Sequence, residues 1–179
     1  MNVNLKKLIA LAIFAAPGFA AAADTITFNG EVTDQTCAVT INGTTGNASV
    51  LLNTVAASTL STAGSKTGST PFTLGVTGCS TSGSQSIKAK FLGHSVDANG
   101  NLGNIATGTA ATNVALQLQE AVGGAAINLA GGVTTAATGI NLGGSTSGQH
   151  DYAVQYISVP GGATPGLVTG VTEYTVSYQ

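Results

Sequence analysis

Large apolar residues recur along this chain at every second position, in short runs separated by glycine-rich turns. Phe72, Leu74 and Val76 alternate before Gly78 and Cys79. Ile87, Ala89 and Phe91 alternate with Lys88 and Lys90, and Val114, Leu116 and Leu118 with Ala115, Gln117 and Gln119. Tyr152, Val154 and Tyr156 alternate with Ala153 and Gln155; Tyr174, Val176 and Tyr178 alternate with Thr175 and Ser177. A period of two puts such residues on one face of a half-buried strand. Residues 39–41 continue the chain's first strand beyond Cys37, and 49–52 and 127–129 read as shorter strands. Asn42-Gly43, Gly64-Ser65, Asn99-Gly100, Gly123-Gly124, Gly143-Gly144 and Gly161-Gly162 mark turns. Residues 54–68 and 107–113 read as small-residue loops, with room for a short helical turn within 55–60. Many short strands joined by such turns predict an all-β sandwich or barrel in one domain.

The same alternation occurs near the start. Ile26, Phe28, Gly30 and Val32 share one face, and Thr25, Thr27, Asn29 and Glu31 share the other. Ahead of this strand, Lys6 and Lys7 precede an apolar run over 8–14 that is too short to span a bilayer, followed by Pro17, Gly18 and alanines. That order reads as a secretory signal peptide over 1–23, with cleavage before either Ala23 or Asp24. A secreted chain thus begins with an apolar-faced strand and ends with another, over 172–179. An apolar sheet edge is an aggregation hazard unless something pairs with it. Two arrangements answer this. Either the first and last strands pair within one molecule, or the first strand pairs with the edge of a neighbour, where backbone bonds give affinity and alternate side chains fill pockets.

Composition narrows the partners. From Asp24 onward about 156 residues remain, with Lys66, Lys88 and Lys90, no arginine and seven carboxylates, a net charge near −4. That excludes a basic patch for phosphate, so no nucleic-acid partner is expected. So few charges suit a surface covered in part by copies of the same chain. Two cysteines in a secreted chain, Cys37 and Cys79, predict one structural disulfide.

Catalytic patterns are missing. His94 and His150 are the only histidines and read as surface or loop residues; neighbours in a strand, such as His150 and Asp151, face opposite ways. The stretch 97–101, DANGN, lacks the glycine and glutamate that a calcium loop needs at its sixth and twelfth positions, which are Leu102 and Gly108; it reads as a hairpin turn. Two Asn-x-Ser/Thr sequons begin at Asn42 and Asn47. Nothing brings together an acid, a base and a nucleophile, so no enzymatic activity, cofactor or metal is expected.

Several segments, in order, carry a resemblance: TITFNGEV before Cys37, the spacing from Cys37 to Cys79, FLG at 91–93, TNVALQL at 112–118, ATPG at 163–166, and the terminal YTVSYQ with Tyr178 penultimate. Together they resemble the chaperone–usher pilins, in particular the type 1 fimbrial major-subunit family. The resemblance implies an incomplete immunoglobulin-like β-sandwich that lacks its last strand and is completed by a donor strand. Residues 24–36 would be the N-terminal donor-strand extension, and 37–179 the pilin domain. Ile26, Phe28, Gly30 and Val32 would enter a neighbour's groove. Tyr174, Val176 and Tyr178 would lie on the strand that lines the chain's own groove and is offered to a chaperone. The implied partners are other copies in a filament, a periplasmic chaperone, an outer-membrane usher, and adaptor and adhesin subunits. The implied location is a fimbrium at the cell surface, reached through the periplasm, where it supports adhesion. The extension of thirteen residues before Cys37 is short for a major pilin and resembles that of tip adaptors. A tip adaptor is therefore one alternative, and a self-complete secreted carbohydrate-binding β-sandwich is another.

Overall fold

In the computed structural model, the described residues are 37–80 and 86–179. Ten strands follow one another: β1 (Ala38–Ile41), β2 (Thr44–Thr45), β3 (Ser65–Thr77), β4 (Ser86–Gly93), β5 (Leu102–Gly103), β6 (Ala115–Gln119), β7 (Ala126–Ile127), β8 (Thr134–Asn141), β9 (Gly148–Ser158) and β10 (Thr172–Tyr178). A short 3-10 helix, Ala57–Leu60, lies between β2 and β3, within the span where a helical turn was expected. Seven strands form one sheet in the order β2-β1-β3-β9-β6-β5, with β7 also on β6; the other sheet has the order β10-β4-β8. Every strand pairing is antiparallel. The expected all-β immunoglobulin-like sandwich is the fold observed.

The core forms where the alternating faces meet. Phe72 and Leu74 of β3, Phe91 and Ile87 of β4, Leu116 and Leu118 of β6, and Tyr152 of β9 are all buried. Three of their rings pack as a group, with Phe91 edge-on to Tyr152 at 5.4 Å, Phe72 stacked on Tyr152 at 5.9 Å, and Phe72 edge-on to Phe91 at 6.5 Å. Such offset and edge contacts suit the aromatic quadrupole and add to the area they bury. The Cys37–Cys79 disulfide joins the start of β1 to the residues just after β3, as the sequence predicted.

Three strand expectations change. Residues 49–52 are not a strand, although Val50 and Leu52 turn toward the core while Leu51 is 92% exposed. The alternation is present, but no described residue pairs with the backbone there. In β6 the polar partners are buried too. Gln155 donates to Gln117 at 3.0 Å and Gln117 donates to Asn101 at 3.0 Å, so the amides satisfy one another across β9, β6 and the residue before β5. β8 was not foreseen, because its inward positions are the small Ala136 and the distant Ile140. Its register against β4 also shifts: Lys88 faces Gly139, but Lys90 faces Thr135. That bulge breaks the period of two.

Turn chemistry agrees with the sequence at 97–101. The Asp97 carboxylate accepts the amides of Asn99 and Asn101, each at 2.9 Å, and Gly100 takes φ +80°. Any Cβ at Gly100 would run into the Asn128 side chain. Gly166 is required for a different reason: a Cβ there would meet the backbone of Ala110 and Ala111.

Candidate functional site

β10 has one partner among the described residues, β4. Among the described residues nothing pairs with its other edge, a row of backbone N–H and C=O groups. Tyr174, Val176 and Tyr178, picked out from the sequence, all lie on this strand, pack against the core and remain only half-buried. On β4 beside it the inward residues Ile87, Ala89 and Phe91 are fully buried. The core is thus thinnest along the β10 edge.

The opposite side of this gap comes from the beginning of the described chain. The Tyr178 hydroxyl accepts the Cys37 amide at 3.2 Å, and the Tyr174 hydroxyl donates to the Gly46 carbonyl at 2.9 Å. Both tyrosines reach from one sheet toward the edge of the other. Beyond Gly46 the chain runs through 47–55, where Val50, Leu52 and Val55 pack on the core. Residues 46–55 make no backbone–backbone hydrogen bond to another described residue. Among the described residues, the open edge of β10 and the segment 46–55 therefore flank an apolar floor.

At the end away from Cys37 the floor deepens into an open cavity of about 350 Å³, lined among others by Val55, Leu60, Val114, Ala163 and Val168. Val168 belongs to the extended stretch that leads into β10. This cavity was not legible in the sequence because it is built from three separated loops. The ATPG motif at 163–166 was the one signal for it. Sequence reasoning also missed Gly46, Val50, Leu52 and Val55 as a wall. The apolar run at 49–52 was noticed, but which edge it would border was not.

Ile26, Phe28, Gly30 and Val32 lie outside the described residues. The two histidines are far from any nucleophilic arrangement. His94 Nε2 lies 3.0 Å from Glu173 on the exposed face. His150, read as a surface or loop residue, is half-buried on β9; its Nε2 lies 2.7 Å from the Glu120 carbonyl, and its ring packs edge-on to Tyr152 at 4.4 Å. Asp151 faces the other way and accepts from the Thr73 hydroxyl at 2.6 Å. Burial pushes the Tyr152 hydroxyl up to about 12, helped by the nearby Glu120 charge, while it donates to the Thr138 carbonyl at 3.0 Å. Burial also raises Tyr156. Both tyrosines are therefore structural donors. Among the described residues no cluster of three or more His, Cys, Asp or Glu could hold a metal ion.

Comparison with known proteins gives the family. A family profile described as Fimbrial protein matches residues 26–179. The chain is 41% identical over 171 residues to the major fimbrial subunit SMF-1 of Stenotrophomonas maltophilia (strain K279a), covering 92% of this chain and 98% of that protein. It is 40% identical over 164 residues to the F17 fimbrial protein of Escherichia coli, covering 86% of each. Among solved structures, the crystal structure of the P pilus rod subunit PapA superposes with a TM-score of 0.57 at 18% identity, covering 79% of this chain and 99% of that one.

Proposed function

The chain belongs to the fimbrial protein family and is a structural subunit of an extracellular fimbrium; from this we propose that it polymerises head to tail by donor-strand exchange. In this reading residues 1–23 are removed as a signal peptide, 24–36 form the donor extension, and 37–179 form the acceptor domain. The apolar face of Ile26, Phe28, Gly30 and Val32 enters the gap between β10 and 46–55 of the next copy. Before assembly, a periplasmic chaperone occupies the same edge at Tyr174, Val176 and Tyr178, and an outer-membrane usher exchanges one strand for the other. Adaptor and adhesin subunits complete the fibre, which supports adhesion without a catalytic step.

The observation that carries this reading is the gap flanked, among the described residues, by the open edge of β10 and the unpaired segment 46–55. A strand laid there satisfies both edges and covers the half-buried Tyr174, Val176 and Tyr178. Each large apolar side chain fully buried is worth roughly 1.5–3 kcal/mol, so a row of them holds a fibre firmly. Because donor and acceptor surfaces differ, the contact is heterologous and builds a filament. The identity to a major fimbrial subunit favours the shaft over the tip.

Size in mild denaturant tests the proposal, comparing the mature chain with one lacking 24–32 and keeping the disulfide in both. Ladders from the full chain and none from the shortened one support strand donation. Two equally stable monomers overturn it. A shortened chain that unfolds, while the full chain stays monomeric, points instead to a self-complete carbohydrate-binding sandwich.

A further inference from the structure

An asparagine followed by glycine can react with its own backbone. The glycine nitrogen attacks the side-chain carbonyl carbon, and the missing side chain leaves that nitrogen open. The described residues hold this pair twice, at Asn42-Gly43 and Asn99-Gly100; a third, Asn29-Gly30, lies outside them. The two pairs are chemically the same, so the fold decides which one reacts. Asn42 and Gly43 form the two-residue loop between β1 and β2, across which Ile41 faces Thr44. Both take positive φ, 49° and 78°, the signature of a type I′ turn. Both are exposed, and a Cβ at Gly43 would meet nothing within 4 Å. The Asn42 amide donates to the Thr73 carbonyl and its Oδ1 accepts the Thr73 amide, each at 2.8 Å. Among the described residues the Asn42 carbonyl and the Gly43 amide make no backbone–backbone hydrogen bond.

We infer that Asn42 is a self-modification site, at which the folded chain converts asparagine to aspartate and isoaspartate without an enzyme. The inference does not rest on strand exchange. Closing the ring needs the Gly43 nitrogen turned toward Cγ of Asn42. A flip of the Asn42–Gly43 peptide does this and takes the turn from type I′ to type II′, in which Asn42 keeps its positive φ. The flip spares both bonds to Thr73, which belong to the preceding peptide and to the side chain. A solvent base takes the Gly43 amide proton, the nitrogen bonds to Asn42 Cγ, and the Cγ–Nδ2 bond breaks to release ammonia. The Thr73 N–H, already on Oδ1, stabilises the negative charge that gathers there during the attack. Water then opens the resulting succinimide at either carbonyl. One opening gives aspartate; the other gives isoaspartate, whose main chain runs through the former side chain.

Asn99-Gly100 is held against the same reaction. The Gly100 amide donates to the Asp97 carbonyl at 3.0 Å, so the nucleophile is engaged. The Asp97 carboxylate holds the Asn99 amide at 2.9 Å, and the Leu129 amide holds the Gly100 carbonyl at 3.0 Å. Gly100 is buried and packs on the Asn128 side chain, so a flip there breaks bonds and meets packed neighbours. At Asn42 the products change the surface. Aspartate keeps an acceptor for the Thr73 amide but brings a second carboxylate to Thr73, whose hydroxyl already donates to Asp151. Isoaspartate adds a main-chain carbon to a two-residue loop and so opposes the pairing of β1 with β2. Either product adds a negative charge to a chain that carries few.

Both pairs can be followed in one sample. The mature chain, disulfide intact, is kept at mildly alkaline pH and body temperature, and peptide mapping by mass spectrometry times the amide-to-acid conversion at each asparagine. Asn42 is expected to convert roughly tenfold faster than Asn99, because Asn99 must first break bonds that Asn42 does not make. Isoaspartate should appear at position 42 beside aspartate; aspartate alone, the mark of direct hydrolysis, overturns the ring route. In urea with the disulfide reduced, the two rates should converge. Rates that stay apart in urea trace the difference to local sequence and overturn the role of the fold. Equal rates in the folded chain, a faster Asn99, or an inert Asn42 in the folded chain overturn the inference. As a second variant, Asp97→Ala should speed Asn99 several-fold in the folded chain and leave Asn42 unchanged. An unchanged Asn99 overturns the contrast between the two turns.

Discussion

The Glu120 carboxylate accepts the Thr138 amide at 3.0 Å, and its second oxygen accepts the neighbouring Ala137 amide at 2.7 Å. Glu120 follows β6 in one sheet, while Ala137 and Thr138 sit in the β8 bulge of the other. A bulge leaves backbone donors without a ladder partner. Here one side chain satisfies both and ties the sheets together.

Replacing Glu120 should therefore cost more than one exposed hydrogen bond. Bonds to a charged acceptor contribute about 1.5–3 kcal/mol each, and partial exposure keeps the pair near the lower end of that range. Glu120→Ala is expected to lower the urea midpoint without changing the slope, and Glu120→Gln to lower it less. Equal midpoints for wild type and Glu120→Ala would show that water replaces the carboxylate.

Alkaline pH probes Tyr152. Its hydroxyl is held up to about 12, first by burial and then by Glu120. The unfolded chain releases this proton near 10, so between about 10 and 12 the folded state binds more protons than the unfolded one. Stability is complete below about pH 10 and falls as pH rises through 12. Urea midpoints against pH should show this fall, and Tyr152→Phe should flatten it, leaving the smaller contribution of Tyr156, which burial also raises.

The ring cluster predicts the cost of a cavity. Phe91 is buried and packs edge-on against both Phe72 and Tyr152. Phe91→Ala should cost about 3–5 kcal/mol, the range for removing a buried aromatic ring. Phe91→Leu should cost much less. Calorimetry of the two variants checks the difference.

The disulfide closes a long loop, with its cysteines 42 residues apart. Cys37→Ser with Cys79→Ser is expected to cost about 2–4 kcal/mol. Cys37 also donates its amide to Tyr178, so the double variant should loosen the end of β10 as well. Faster amide exchange at Tyr178 than at Tyr174 would show it.

Much of this was readable before the fold was known. Phe72, Leu74, Val76, Ile87 and Phe91 followed the period of two into the core, and Asp97 and Gly100 followed their turn chemistry. Other features were not, for identifiable reasons. β8 is built from Thr, Ala and Gly, so its burial leaves little trace in hydropathy, and its bulge breaks the remaining rhythm. Gln117 and Gln155 look like solvent-facing residues until they are seen bonded to each other. Residues 49–52 show the opposite case. Their apolar run is clear, but a strand is defined by a partner, and no described residue supplies one. The site shares this property: Tyr174, Val176 and Tyr178 were visible as an alternating face, while the facing wall at 46–55 depended on how distant segments meet.

The contact between His94 and Glu173 is the one contact of salt-bridge geometry among the described residues, and both side chains stand in solvent. Apart from the Asp97, Glu120 and Asp151 carboxylates, the described residues are fastened by amides, hydroxyls, packed rings and one disulfide, which dissolved ions barely screen. A thread made of such units should hold in fresh water, brine or body fluid alike, because salinity has so little in it to weaken.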